Sequence, residues 1–445
     1  MRPYAPLATL LAAGLLRERG HEVALFDAML APGVEAFVAM LDESRPAVVG
    51  IMEDNFNFLT KMCTLRMREA TLAMVRAAHL RGCRVAVNGS DAADRPALYL
   101  AAGADAVVLG EGEMGFLELA ELWTGDLSAP VAGVAGIAWA AVDGVCRTPA
   151  RPPLTDLDAL PLPAWDLVDV EAYRREWLGV HGRFSWNMVT SRGCPYGCNW
   201  CAKPIFGRRY AQRSAAAVAE EMLLLRHAVA PDHIWFADDI FGLTSEWIRD
   251  FAREVGARGA RTPFMMQSRV NLMRPATVAA LAEAGAEEVW MGVESGSQRV
   301  LDAMQKGSRV DEARTATRTL KAHGVRACWF IQLGYPPEQW DDLLRTRDLL
   351  REERPDDIGV SVAYPLPGTP FHETVRRQLG AKRNWEDTDD LAMLFHGTFG
   401  TGVYRRARDL LHAEANTGVY DDLPWIELGR EAAGNRGRLP ILAAG

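Results

Sequence analysis

The chain is poor in cysteine, with 7 in 445 residues, too few and too scattered for a disulfide-stapled scaffold. It has no apolar run of the ~20 residues a bilayer span requires. The stretch 7–16 comes nearest and stops at Arg17, Glu18 and Arg19, which predicts an amphipathic helix in a cytoplasmic protein with no membrane span. Positive charge is not in excess. A net charge of -9 argues against nucleic acid as a partner, because a backbone-binding face is basic, although Arg208, Arg209 and Arg213 form a local basic group. The 9 histidines include no pair at helical spacing that would hold a metal. Nor is the composition that of a disordered chain: 49% hydrophobic and 24% charged, with 13 Trp, describes a globular enzyme. At this length two or three domains are expected.

What is present stands out against that background. Three of the seven cysteines fall within eight residues, in Ser191-Arg-Gly-Cys-Pro-Tyr-Gly-Cys-Asn-Trp-Cys201, with no fourth nearby. A closed structural zinc site or a sealed electron-transfer cluster takes four protein ligands. Cys194, Cys198 and Cys201 around a four-iron cube would leave one iron open, which points to chemistry rather than scaffolding. The remaining cysteines, Cys63, Cys83, Cys146 and Cys328, lie in apolar or mixed runs and are expected to be buried free thiols.

Along the chain, apolar periodicity switches repeatedly between helix and strand. Helices are expected at 6–19, 34–43, 60–80, 94–101 and 113–123, with strands at 22–26, 47–51, 84–87 and 104–109. Such alternation predicts an open, doubly wound, Rossmann-like parallel sheet with its ligand at the carboxyl ends of the strands. A hairpin around Asp143-Gly144 and a proline-rich connector, 149–163, close this part near residue 150. A second series follows, with strands at 186–190, 234–236, 264–267, 289–292, 327–333 and 358–363. Six units are fewer than the eight of a full barrel, so a partial (β/α)6 TIM-like barrel is expected over 151–375. Residues 376–445 read as mainly helical, with an amphipathic helix at 404–414 and a glycine-rich tail from Gly434.

The cysteine loop after a first barrel strand, with Trp200 before the last cysteine, resembles the cluster loop of radical S-adenosylmethionine (SAM) enzymes. Further stretches resemble that family in order: Phe236-Ala-Asp-Asp-Ile240, Gln267-Ser-Arg269, Gly292-Val-Glu-Ser-Gly296, Lys306-Gly307, Gly334-Tyr-Pro-Pro-Glu338 and Pro365-Leu-Pro-Gly-Thr369. Upstream, Pro6-Leu7, Arg19-Gly-His-Glu-Val23, Asp27 and Gly110-Glu-Gly-Glu113 resemble the cobalamin-binding domain of the B12-dependent branch. Two departures stand out. The chain starts at Met1-Arg-Pro-Tyr, without the apolar strand that usually precedes the Pro-Leu helix, so the sheet is expected to be one strand short or the true start to lie upstream. It also lacks the Asp-x-His-x-x-Gly loop, since Asp27 is followed by Ala-Met-Leu, which implies no protein imidazole on cobalt.

The resemblance implies a [4Fe-4S] cluster on Cys194, Cys198 and Cys201, with SAM on the open iron and an external reductant such as flavodoxin or ferredoxin. It places Trp200 against the adenine or packed beneath the loop. Asp239, or its neighbour Asp238, would accept from the ligand ammonium or serve a turn. Arg269 would pair with the ligand carboxylate as a planar fork. Glu294 would hold ribose hydroxyls or the ammonium, and Tyr364 with Pro365 would line the adenine pocket. In the cobalamin domain, Met52-Glu-Asp-Asn-Phe56 would approach the corrin's lower face, and Ser90 and Glu111 its edge or tail. The activity implied is methylation of an unactivated carbon on a small molecule or peptide. Radical cyclisation or ring rearrangement is the close alternative, and a non-catalytic cobalamin sensor or electron carrier the distant one.

Overall fold

The structure, a computed structural model, describes residues 3–53, 65–201, 206–379 and 391–435. The chain divides into two compact units. One comprises Met1–Pro195, Lys203–Asp239 and Arg253–Pro263; the other comprises Tyr196–Ala202, Ile240–Ala252 and Phe264–Gly445.

In the first unit the helix Leu7–Glu18 buries Leu7, Leu10, Leu11 and Leu15 along one stripe, as its spacing dictates. Strands β1 (Val48–Met52), β2 (Arg84–Asn88) and β3 (Ala106–Val108) pair in parallel and in chain order. The hairpin β4 (Ile137–Ala141) and β5 (Gly144–Arg147) extends the sheet antiparallel, turning at Gly144 with φ +123°. Side chains alternate across the sheet. Val85, Val87 and Val107 pack with Phe37, Leu41, Leu72 and Tyr99 on one face, and Ala86, Ala106 and Val108 with Phe116, Leu119 and Trp123 on the other. Helices therefore cover both faces, as expected for a Rossmann-like domain. Met52 is level with Asn88, and Asn88 with Val108, so three loops leave the sheet at one end: those after β1, β2 and β3.

Three local expectations change. Residues 22–26 form no strand; Phe26 packs edge-on against Phe37, ring centroids 5.1 Å apart, so the segment is held by its side chain and not by a ladder. The helix expected at 94–101 is split into Ser90–Asp94 and Pro96–Ala101, because Pro96 has no N–H to continue the first piece. Cys146 is exposed on β5, whereas Cys83 and Cys328 are buried; Cys63 and most of the 52–56 loop lie outside the described residues. An element not anticipated, the helix Val170–His181, starts where Asp169 accepts from the Ala172 N–H at 2.9 Å and ends at Gly182 with φ +65°.

The second series supplies β6 (Ser185–Met188), the short pair β7 (Ser191–Arg192) and β8 (Ala211–Gln212), then β9 (His233–Phe236), β10 (Phe264–Ser268), β11 (Ala286–Glu294), β12 (Arg326–Leu333) and β13 (Asp357–Val362). In the first unit β6 and β9 pair in parallel; in the second β10, β11, β12 and β13 pair in parallel and in chain order, the strand–helix repeat of a partial barrel. Helices Ala215–Ala228, Ser245–Arg258, Pro275–Ala284, Val310–Ala322 and Trp340–Glu353 alternate with them. In the second unit Val289, Met291, Ala327, Trp329 and Ile331 are all buried. Trp329 keeps its indole N–H satisfied by donating to Thr317 Oγ1 of helix Val310–Ala322 at 2.9 Å. The chain continues into helices Thr401–Thr417 and Leu423–Asn435, tied by Trp425 Nε1 donating to Glu414 Oε1 at 2.8 Å. Gly434 belongs to the last helix; the tail beyond it lies outside the described residues.

Candidate active site

The first unit fixes the entrance to the cysteine loop from two sides. Asp238, buried after β9, accepts from the Thr190 N–H at 3.0 Å, Thr190 Oγ1 at 2.7 Å and Ser191 Oγ at 2.5 Å. Burial pushes its carboxyl up to about 6, partly offset by those donors. Arg192 then donates to Glu111 at 2.9 Å and to Glu113 at 2.7 Å. All three side chains are at least nine-tenths buried. Burial alone would lower the Arg192 pKa, and the two carboxylates more than offset it. Next, Gly193 adopts φ +78°, and a Cβ there would lie 1.9 Å from the Arg209 carbonyl oxygen, so only glycine fits. Cys194 donates its N–H to the Gly207 carbonyl at 3.2 Å.

The second unit holds the rest of the loop. Asn199 is its anchor: its N–H donates to Met304 O at 3.1 Å and its Nδ2 to Ala303 O at 2.9 Å. Its Oδ1 accepts from Tyr335 OH at 2.7 Å and its carbonyl from the Phe371 N–H at 3.0 Å. Beside it Cys198 is buried, and Arg269 Nη1 donates to Cys198 Sγ at 3.4 Å. The Arg269 guanidinium also donates to Lys306 O and to Asn271 Oδ1, and lies 3.8 Å from the Tyr196 ring centroid. Lys306 Nζ pairs with Glu294 Oε1 at 2.6 Å, both side chains buried, and stands 6.0 Å from the Trp200 ring centroid. That ion pair needs Gly292, where a Cβ would meet Lys306 Nζ at 2.4 Å and Glu294 Oε1 at 2.5 Å. Glu294 itself sits at φ +64°, next to the point where β11 shifts register against β12. A non-glycine residue held there is strain that neighbours must support.

The expected site residues thus fall into groups. Cys198, Trp200, Arg269 and Glu294 are linked through Lys306 and Tyr196. Asp239 is exposed while Asp238 is committed to Thr190 and Ser191. Tyr364 is buried. Ser90 is buried at the start of its helix, and Glu111 is turned onto Arg192 and the Leu154 N–H. Lys306, Asn199, Tyr196 and Arg192 were not among the expected ligand contacts. Their positions in Lys306-Gly307 and in the cysteine loop were the available signal, whereas the pairing of Arg192 with residues 79 and 81 positions upstream leaves none. Among the described residues no three His, Cys, Asp or Glu side chains converge as a single metal ion requires. The donor set itself fits a thiolate-held cluster: three cysteines with a guanidinium on one sulfur, and second-sphere hydrogen bonds of this kind accompany metal-bound cysteines. At the other end of the chain, the level carboxyl ends of β1, β2 and β3 fit a nucleotide-like or corrin ligand.

Residues 188–350 match the radical SAM superfamily and residues 3–120 match the B12 binding domain. The chain belongs to the cobalamin (B12)-dependent radical SAM enzyme family. Its cofactors, by that membership, are a [4Fe-4S] cluster, SAM and cobalamin. The chain is 30% identical over 285 residues to an uncharacterized methyltransferase of Pyrococcus horikoshii, covering 63% of this chain and 60% of that protein. It is 27% identical over 434 residues to the cytidylyl-2-hydroxyethylphosphonate methyltransferase of Streptomyces wedmorensis, covering 84% and 78%. Its fold is similar to that of the radical SAM methyltransferase TsrM from Kitasatospora setae, with a TM-score of 0.69 at 21% identity over 86% of this chain and 74% of that one. No helix among the described residues is long and apolar enough to cross a membrane.

Proposed function

We propose that the chain is a methyltransferase that places a methyl group on an unactivated carbon of a small molecule or peptide. One observation carries the reading: three cysteines in eight residues without a fourth, one of them held by Arg269, in the same chain as a B12-type domain. The two methyltransferases named above support methyl transfer. When bound, the cluster supplies an electron to SAM, and cobalamin carries the methyl group. Cys194, Cys198 and Cys201 would hold the cluster, with Trp200, Asp239, Glu294 and Tyr364 as the residues that meet SAM. Asn199 and Gly193 shape the loop, while Asp238 and Arg192 fix its entrance. Ser90 would lie at the corrin edge, and Glu111 shapes that loop through Arg192. Segments 1–150, 151–375 and 376–445 would serve as corrin domain, barrel and cap, with flavodoxin or ferredoxin as the external electron donor.

The test is anaerobic reconstitution with iron, sulfide and cobalamin, followed by SAM and reductant. The expected products are 5'-deoxyadenosine and S-adenosylhomocysteine, the nucleoside being lost in Cys198→Ala. Absence of the nucleoside, with Cys198→Ala indistinguishable from the parent, would overturn the reading. A substrate product without an added methyl mass would favour cyclisation or rearrangement instead.

A further inference from the structure

We infer that Arg269 sets the charge environment and position of the cysteine loop, and is not a clamp for a ligand carboxylate. The inference rests on the reading above that Cys194, Cys198 and Cys201 hold an iron–sulfur cluster. Arg269 follows β10 and is 5% exposed, so its contacts are made inside the protein. A carboxylate clamp presents two parallel N–H donors along one edge of the guanidinium. In Arg269 that edge is divided: Nη1 donates to Cys198 Sγ at 3.4 Å and Nη2 donates to the Lys306 carbonyl. The third nitrogen, Nε, donates to Asn271 Oδ1 at 3.3 Å. The flat face is occupied as well, lying 3.8 Å from the Tyr196 ring centroid. Tyr196 is two residues from Cys198, so the segment that brings the sulfur also brings the seat for the guanidinium.

The neighbouring cation behaves differently. Lys306 is neutralised by Glu294 at 2.6 Å. Among the described residues no carboxylate pairs with Arg269, and its positive charge stands against the sulfur uncompensated. One-electron reduction makes a cluster more negative by one charge, the electron coming from an external low-potential donor. A buried cation and an N–H···S bond on a ligand sulfur favour that reduced form and raise the reduction potential. Arg269 makes and breaks no bond in this step and keeps its proton.

The full-length chain is reconstituted anaerobically as wild type, Arg269→Met and Tyr196→Leu, then titrated with dithionite while the reduced cluster is followed by electron paramagnetic resonance. SAM affinity is measured in parallel by equilibrium dialysis. The midpoint is expected to move to more negative potential in Arg269→Met, and in the same direction by less in Tyr196→Leu. An unchanged midpoint overturns the inference, and a loss of SAM affinity of about tenfold or more beside that unchanged midpoint identifies Arg269 as a carboxylate clamp. If Arg269→Met assembles no cluster, Tyr196→Leu decides: a negative shift sustains the inference and an unchanged midpoint overturns it. A wild-type chain that takes up no iron overturns the cluster reading itself, which is a distinct result.

Discussion

Tyr99 stands within hydrogen-bond distance of Glu53 in the interior of the first unit. The Tyr99 hydroxyl lies 2.7 Å from Asp91 Oδ2 and 3.1 Å from Glu53 Oε1, and one phenolic proton cannot serve both. Asp91 is the charged partner, since Arg68 grips it with two bonds of 2.6 Å. Glu53, without such a cation bonded to it among the described residues, is the carboxyl that holds a proton more readily. Burial, reinforced by the charge of Asp91, pushes its carboxyl up to about 7. Between the ordinary carboxylate value and about 7, the unfolded chain releases this proton while the folded one keeps it, so stability falls as pH rises across that window. Glu53→Gln, which cannot ionise, should remove about 2 to 3 kcal/mol of that pH-dependent loss. Urea midpoints of both proteins at pH 5 and pH 8 check it; equal pH dependence would sink the assignment.

Arg192 is the one cation among the described residues that pairs with both Glu111 and Glu113, and its side chain is 3% exposed. Arg192→Met leaves two buried carboxylates facing each other and should cost about 3 to 5 kcal/mol. Adding Glu113→Gln to that variant should recover part of the loss, because the two positions share one interaction. Chemical denaturation of the single and double variants measures both effects, and strict additivity would show that the three residues act independently.

The contrast between these two sites explains what sequence alone could reveal. The cysteine loop was legible because its chemistry is written within eight consecutive residues, and the six barrel strands because each carries its own apolar run. Residues 22–26 misled because a strand exists only if an edge pairs with it, which no local pattern records. Arg192 looked like an unremarkable residue before Gly193, since its partners lie in a distant loop. Arg269 stands out in the sequence by its position after β10, but its contacts with the Cys198 sulfur and a carbonyl are a matter of side-chain direction that spacing does not carry.

Asp238 and Asp239 are neighbours with opposite surroundings. Asp238→Asn places an amide N–H₂ among the Thr190 and Ser191 donors that now bond the carboxylate and should cost about 1 to 3 kcal/mol. Asp239→Asn, at an exposed position, should cost less than Asp238→Asn. If Asp239 accepts from the SAM ammonium, the same substitution weakens SAM binding by about tenfold. Thermal melts of the apoprotein and equilibrium dialysis of the reconstituted chain separate the two roles; a destabilised Asp239→Asn, or one with unaltered affinity, would remove it from the ligand's surroundings.

Asn199 links the loop between Cys198 and Cys201 to three other segments, through Ala303 and Met304, Tyr335, and Phe371. Its backbone bonds survive substitution, so Asn199→Ala removes two side-chain bonds and leaves the Ala303 carbonyl and the hydroxyl of buried Tyr335 without them. Each such loss costs about 1 kcal/mol, small against global stability but concentrated on eight residues that have to hold a defined shape. Asn199→Asp separates the two bonds: the carboxylate still accepts from Tyr335 but turns an oxygen toward the Ala303 carbonyl, where a donor stood. The expected order of iron retention under a chelator is therefore wild type, then Asn199→Ala, then Asn199→Asp, while far-ultraviolet circular dichroism stays unchanged. Retention equal in all three would mean that the backbone bonds to Met304 and Phe371 suffice to hold the loop.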